Sequence, residues 1–237
     1  MHAPCEVQAQ AISGATRLVG ILGWPVDHSL SPRMHNAAFA ALGLDWAYVP
    51  LPTPPDTLGE AVRGLAALGF AGASVTTPHK LAVAAFCDSD TPSVNTLVVR
   101  ADRVLGSTTD AAVLGGLRAD RPVVIGAGGS GTAFMQALPH ARLFARGGAW
   151  PPDARGADLV VNATSARDEI VVELGPDQVL VDLPYPETAT ARAARAAGAT
   201  VVSGLEVLAA QGAASFELWT GLPAPIEVMR AALGLPP

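Results

Sequence analysis

Apolar residues fall along this chain in two kinds of run, and their alternation predicts an α/β protein. Short continuous runs bounded by turn residues suit buried strands, and stripes with helical spacing suit amphipathic helices. Residues 17–24 (RLVGILGW) form a buried run that stops at Pro25. After the polar loop VDHSLSP, Pro32 suits a first helical turn, and Met34, Ala38, Phe39 and Leu42 make an apolar stripe that Gly43 closes. Residues 46–51 predict a second strand, 58–68 a second helix stopped by Gly69, and 73–77 a third strand cut off by Pro78. Residues 94–99 and 103–106, separated by ADR, read as a hairpin.

Beyond Asp110 the pattern changes. A short helix (AAVLGGL) leads into RPVVIGAGGSG, an apolar strand running straight into a glycine-rich turn. There follow TAFMQAL (helix), ARLFA, DLVVNAT and QVLVDLP (strands), TARAARAAG (helix), TVVSG (strand) and two further helices. Strands alternating with helices imply parallel βαβ units in a doubly wound sheet. The alternation occurs on both sides of Asp110, which predicts two α/β domains, and no internal repeat is evident.

Composition narrows the classes. The chain has 237 residues, half of them apolar and 15% charged, which excludes disorder throughout. A formal net charge of −6 gives no general attraction to nucleic acid or anionic membrane. Two cysteines, Cys5 and Cys87, build neither a disulfide framework nor a zinc cluster, and fit a reducing cytoplasm. The opening MHAPCEVQAQAISGAT lacks the basic start and apolar core of a signal peptide. The uncharged run 122–141 is interrupted by Gly126, Gly128, Gly129, Gly131 and Gln136, so it is not read as a membrane span.

Gly126-Ala127-Gly128-Gly129-Ser130-Gly131 satisfies G-x-G-x-x-G between a strand and a helix, where a dinucleotide's pyrophosphate meets free N–H groups. A bland glycine turn is the alternative, and the strand–helix context favours the cofactor. The next strand ends at Arg146 with no acid beside it, which favours the 2′-phosphate of NADP over the ribose of NAD. A solvated strand-end arginine is the competing explanation.

Four polar segments, HSLSP, TTPHK, VNT and STTD, fall at strand ends or loops. In open α/β sheets ligands lie beyond the carboxyl ends of the strands, so these segments are candidates for one cleft. Taken singly, each has a plain structural use. Ser31 suits a helix cap, Thr76 a strand end, Lys80 a surface, and Asp110 a cap for the helix after it. His79, next to Lys80, is expected to point away from it and to be structural. His28 and His35 have no acidic or cysteine partner at ligand spacing, so no metal is expected.

Together the segments resemble the shikimate dehydrogenase family. GWPVDHSLSPRMHNAAFAALGLDWAYVPL is similar to its opening substrate segment, ASVTTPHK to its N-V-T-x-P-H-K strand, SVNTLV to A-V-N-T, and GSTTDAAVLGGL to G-x-N-T-D-x-x-G. IGAGGSGTA, LVVNATS and the stretch from VLVDLPYPE to SFELWTG resemble the cofactor turn, a cofactor-domain strand and the closing segment. The seven motifs stand in the family's order from about residue 18 to 233.

The resemblance implies a substrate domain with a mostly parallel sheet (17–110 with 212–237), a Rossmann-like domain (111–211) and a cleft between them. It implies NADP-dependent, reversible interconversion of 3-dehydroshikimate and shikimate by a cytoplasmic monomer or homodimer. Ser29, Ser31 and Tyr185 would hold the substrate carboxylate, and Thr76, Asn95, Asp110 and Gln211 its ring hydroxyls. Lys80 and Asp110 would be the catalytic pair. Gly126, Ala127, Gly128, Gly129, Ser130, Arg146, Thr164, Leu183 and Gly204 would line the cofactor. Oxidising a secondary alcohol removes a hydride from carbon and a proton from oxygen, and a lysine steered by a carboxylate suits the proton's part.

The chain departs from the family at several points. Ser74 and Thr108 replace asparagines, which shortens their reach, and Val207 replaces a methionine. FARGG replaces the N-R-T phosphate loop and keeps only Arg146. Ser74 and Thr108 motivate one alternative, a quinate or aminoshikimate dehydrogenase with NAD as a candidate cofactor, and a trimmed cofactor wall motivates another, a non-catalytic ligand-binding relative. Two segments are also short. Residues 81–93 omit much of a helix, and the proline-bearing GGAWPPDARGAD is close to the minimum for a parallel crossover. The loss of cofactor wall predicts weaker NADP binding than in a longer relative.

Overall fold

The computed structural model describes residues 12–236; Cys5 and most of the opening tail lie outside them. The first half builds β1 (Arg17–Gly23), α1 (Ser31–Ala41), β2 (Trp46–Pro52), α2 (Leu58–Ala67), β3 (Gly72–Val75), β4 (Thr96–Arg100) and β5 (Arg103–Ser107). The second adds β6 (Val123–Ile125), α3 (Gly129–Ala137), β7 (Arg142–Phe144), β8 (Leu159–Asn162), β9 (Val179–Asp182), α4 (Ala189–Ala196), β10 (Thr200–Val202), α5 (Gly204–Thr220) and α6 (Ile226–Ala232).

Two five-stranded sheets result, ordered β2-β1-β3-β4-β5 and β10-β9-β8-β6-β7. The second is parallel throughout. In the first, four of the five strands share one direction, as expected of a mostly parallel sheet, and β4 alone is reversed. β1 runs parallel to β2 and β3, but β3–β4 and β4–β5 are antiparallel. The β4–β5 pair is set by the hairpin at Ala101–Asp102, where Ala101 takes a φ of 53°. A two-residue turn can join only antiparallel neighbours.

Periodicity placed most helices correctly, with informative exceptions. In α1, Met34, Ala38 and Phe39 are buried, but Leu42 is 42% exposed. It is the helix's C-cap residue, where the chain turns away before Gly43. The expected helix after Asp110 is a 3₁₀ turn (Asp110–Leu114), and the shortened stretch after Lys80 keeps only another (Ala82–Phe86). Neither β7–β8 nor β8–β9 is joined by a helix, against simple strand–helix alternation. Irregular chain covers that face instead. Ala154 and Ala157 on one link, and Val171, Val172 and Leu174 on the other, pack with Val160, Leu180 and α4 residues. Gln178 Nε2 donates to the carbonyls of Ala154 (2.8 Å) and Ala157 (2.9 Å), satisfying backbone that a helix would have satisfied internally.

Helix α5 joins the two halves. Ser203 caps it by accepting from the Glu206 N–H, and Gly221 ends it in a left-handed conformation at φ 71°. Val207 packs in the second sheet's core, whereas Leu208, Ala209, Phe216 and Trp219 pack in the first with α1 and α6. The expected boundary at 211/212 therefore falls inside one continuous helix. Aromatic rings fill the first core: Phe39 lies 5.4 Å from Phe216 and 5.5 Å from Trp46, centroid to centroid.

Candidate active site

The turn after β3 carries two neighbouring side chains in opposite directions. His79 is buried, with Nε2 2.7 Å from the Thr53 carbonyl oxygen. Lys80 faces the other way, its backbone fixed by Val94 N–H donating to its carbonyl at 2.8 Å. Lys80 Nζ donates to both carboxylate oxygens of Asp110 at 2.7 Å and to Ser130 Oγ at 3.0 Å. The side chains are only 12% and 3% exposed, so this is a largely desolvated ion pair rather than a surface one. Such a pair persists only when its remaining lone pairs are satisfied.

Asn95 does that. Its Nδ2 donates to Asp110 Oδ1 at 2.8 Å and also lies 3.0 Å from Thr109 Oγ1 and 3.1 Å from Gln211 Oε1. Its Oδ1 accepts from the Thr109 N–H (2.7 Å) and Thr96 Oγ1 (3.0 Å). An amide NH₂ has two protons, so three acceptors around Nδ2 leave acceptor capacity for a ligand hydroxyl. Asp110 and Ser31 do not cap their helices with their side chains, which sets those plain alternatives aside.

A cleft of about 290 Å³ gathers Ser29, Ser31, Thr76, Lys80, Asn95, Asp110, Tyr185 and Gln211 with Ser130, Thr164, Leu183 and Gly204. At one end, Ser29 Oγ accepts from the Ser31 N–H at 3.3 Å. Burial pushes the neighbouring Tyr185 phenol up, opposed by Leu30, Ser29 and the positive charge of Arg167, so it stays a neutral donor. Arg167, exposed on the same wall, was not found by sequence reasoning, because no motif marks it. Behind Ser31 and Ser74 lies Tyr48, whose hydroxyl is buried without a hydrogen-bond partner; burial pushes its pKa up. His35 stacks on Tyr48 at 4.5 Å, and burial pushes it down to about 3. The Thr108 hydroxyl, in place of the family's asparagine, is also buried and unpartnered.

A second hollow, about 470 Å³, adjoins the first and is lined by Gly126, Ala127, Gly128, Thr164 and Arg146. Gly126 has a φ of 105°, and a Cβ there would stand 2.9 Å from the Ala163 carbonyl oxygen, so the turn requires glycine. A Cβ at Gly128 would meet nothing within 4 Å, which shows open space in front of the turn. The first N–H groups of α3, a cation at Arg146 and this space fit a dinucleotide with a 2′-phosphate. Gly129, expected against the cofactor, lines neither hollow. It is a point where the halves touch, since a Cβ there would lie 2.5 Å from Lys80 Cβ. Under the pocket, Asn162 Nδ2 and Thr188 Oγ1 donate to the two oxygens of Asp182 at 2.7 and 2.8 Å. Thr164 Oγ1 donates to Asn162 Oδ1 at 2.8 Å. Burial pushes the Asp182 carboxyl up. This support was also missed, although Asn162 and Asp182 face each other in register at adjacent strand ends.

Comparison with known proteins agrees with this arrangement. Residues 21–97 match the family model for the shikimate dehydrogenase substrate binding domain, and 204–233 match that for the shikimate 5′-dehydrogenase C-terminal domain. The chain is 40% identical to a shikimate dehydrogenase (NADP(+)) of Anaeromyxobacter dehalogenans over 272 aligned positions, covering 94% of this chain and 97% of that protein. It is 37% identical to the enzyme of the same description from Citrifermentans bemidjiense, covering 94% and 96%. Alignments longer than this chain show that the relatives carry segments it lacks. The shikimate 5-dehydrogenase of Thermus thermophilus, solved with NADP(H) and shikimate, superposes with a TM-score of 0.82 at 31% identity, covering 92% of this chain and 99% of that one. Among the described residues no helix is long and apolar enough to cross a membrane.

Proposed function

This chain belongs to the shikimate dehydrogenase family, and from that premise we propose how its own residues interconvert 3-dehydroshikimate and shikimate with NADP(H). The observation that carries the reading is the Lys80 ammonium, held at once by Asp110 and by Ser130 of the glycine turn. It sits where a substrate in the first cleft meets a cofactor entering from the second.

The nicotinamide, when bound, supplies or accepts the hydride. The protein's work is the proton and the geometry. In the reductive direction Lys80 Nζ gives its proton to the oxygen that becomes the alcohol, and its charge stabilises the developing alkoxide. In the oxidative direction it takes that proton back. Asp110 aims Nζ through two equal bonds, and its position is fixed in turn by Asn95. The acceptor capacity left over around Asn95 Nδ2, at Gln211 Oε1 and Asp110, with the Thr76 hydroxyl, suits the ring hydroxyls of the substrate. Ser29, Ser31 and Tyr185 offer neutral O–H donors to the carboxylate at the far end of the cleft. Gly126, Ala127 and Gly128, with Thr164, Leu183 and Gly204, form the wall for the pyrophosphate and nicotinamide, and Arg146 takes the 2′-phosphate. The same reading makes the protein a cytoplasmic enzyme acting on small molecules as a monomer or homodimer; its acidic charge gives it no drive toward nucleic acid.

The test is spectrophotometric: shikimate-dependent formation of NADPH, with quinate and NAD+ as parallel arms. Lys80→Ala is expected to lose at least about two orders of magnitude in turnover, the range of a lost acid–base group. Retained turnover removes the role given to Lys80. Faster oxidation of quinate than of shikimate removes the substrate assignment.

A further inference from the structure

Arg146 is the cation on which a preference for the 2′-phosphate rests, and it is already engaged. Its guanidinium is ion-paired with the Glu169 carboxylate, and its Cζ lies 5.2 Å from the centroid of the Trp150 ring. All three side chains line the hollow in front of the glycine turn. Glu169 is held there by its own backbone. Thr190 Oγ1, fully buried at the start of α4, donates to the Glu169 carbonyl at 3.3 Å and accepts from the Val171 N–H at 2.9 Å. Two residues earlier, the Arg167 carbonyl accepts from the Ala189 N–H at 2.7 Å. The backbone from 167 to 171 is therefore pinned to α4, which keeps the Glu169 carboxylate within reach of the guanidinium.

We propose that Glu169 is a cofactor-specificity residue: it competes with the 2′-phosphate of NADP for Arg146 and narrows the enzyme's discrimination between NADP and NAD. This rests on the cofactor reading above. A phosphate approaching Arg146 must displace or share the guanidinium with a carboxylate and bear the repulsion between like charges. A ribose 2′-hydroxyl meets no such opposition and finds in Glu169 an acceptor for its proton, the device by which an acid near this position favours NAD. Trp150 opposes any escape of the guanidinium, since its ring face holds the cation in place. The pair is half-exposed, at 66% and 52%, so the expected effect is that of a screened surface interaction rather than a buried one.

The experiment is isothermal titration calorimetry of the full chain with NADP+, NAD+ and the fragment 2′,5′-ADP, comparing wild type with Glu169→Gln at low and high salt. Gln keeps the shape and removes the charge. The ratio of the NAD+ to the NADP+ dissociation constant is expected to rise by about two- to fivefold, through tighter NADP+ and 2′,5′-ADP binding, with a smaller rise at high salt. An unchanged or lower ratio overturns the proposal while leaving NADP binding by the family intact. Failure of the wild type and the variant to bind either dinucleotide overturns the cofactor reading, and this inference with it. Thermal unfolding of the variant shows whether an altered Kd reflects the pocket or the fold.

Discussion

Replacing Gly129 by Ala adds one methyl group where the backbone of the cofactor turn rests on the catalytic lysine. That methyl would lie 2.5 Å from Lys80 Cβ and 3.3 Å from its Cγ and Cδ. Carbon pairs settle at about 3.5–4.0 Å, so roughly 1 Å must be found by moving one side. Neither side is loose. The Lys80 carbonyl accepts from the Val94 N–H, and the Gly129 carbonyl accepts from Ser93 Oγ, both at 2.8 Å. The displacement therefore falls on Nζ, which loses its alignment with Asp110, or on the turn, which moves away from the substrate cleft. A misplacement of about 1 Å in a reacting constellation costs on the order of 100-fold in rate. Overpacking of this kind costs about 1–3 kcal/mol, and the preference for Ala over Gly is small at the first position of a helix, so a modest loss of stability accompanies the change. Steady-state kinetics on shikimate and NADP+, with thermal unfolding in parallel, separate the two effects. The expected result is a melting temperature lowered by several degrees, with the protein still folded at assay temperature, and kcat lowered about 100-fold. Wild-type kcat and KM in Gly129→Ala would refute the tight contact and the positioning argument built on it.

Other consequences are open to direct measurement. His35 is buried neutral and pushed down to about 3, so the unfolded chain takes up a proton that the folded one refuses. Its contribution to stability is complete above about pH 6.5 and is lost as pH falls toward 3, at up to about 1.4 kcal/mol per pH unit. In denaturant titrations His35→Gln should lack that slope; parallel curves for variant and wild type would count against it. Asp182 is raised by burial, so it favours the fold at low pH and its contribution is lost as pH rises through its folded value. Asp182→Asn should therefore gain on wild type as pH rises from acid to neutral, and a constant difference would contradict this. Asn95→Ala strands the Thr109 N–H and leaves Asp110 Oδ1 with Lys80 Nζ as its remaining donor, at a cost of about 1–3 kcal/mol in urea unfolding. A cost below about 0.5 kcal/mol would show that the web is not under load.

What could be read in the sequence was what short-range rules determine. The apolar run at β6 feeding Gly126 announced a strand, a turn and a helix, because only glycine takes φ 105° against the Ala163 carbonyl. The ordered motifs around Ser29, Thr76, Lys80, Asn95 and Asp110 carried the cleft. What escaped was set by distant neighbours. Nothing local tells that Leu42 ends in water, that Gln178 satisfies carbonyls more than twenty residues earlier, or that Glu169 meets an arginine across the second hollow. The place of the reversed β4 in the first sheet belongs with these. Its hairpin turn was visible, but the pairing of β4 with β3, which carries the reversal into the sheet, depends on residues more than twenty positions apart.

Among the described residues the polypeptide passes between its two sheets twice, once through residues 115–122 and once at the start of α5. The second passage stiffens at once into a 17-residue rod bolted to the first sheet's core. Because its first turn also seats Val207 in the second sheet's core, the rod is a beam anchored in both halves, and one wall of the cleft is a rigid member rather than a loop.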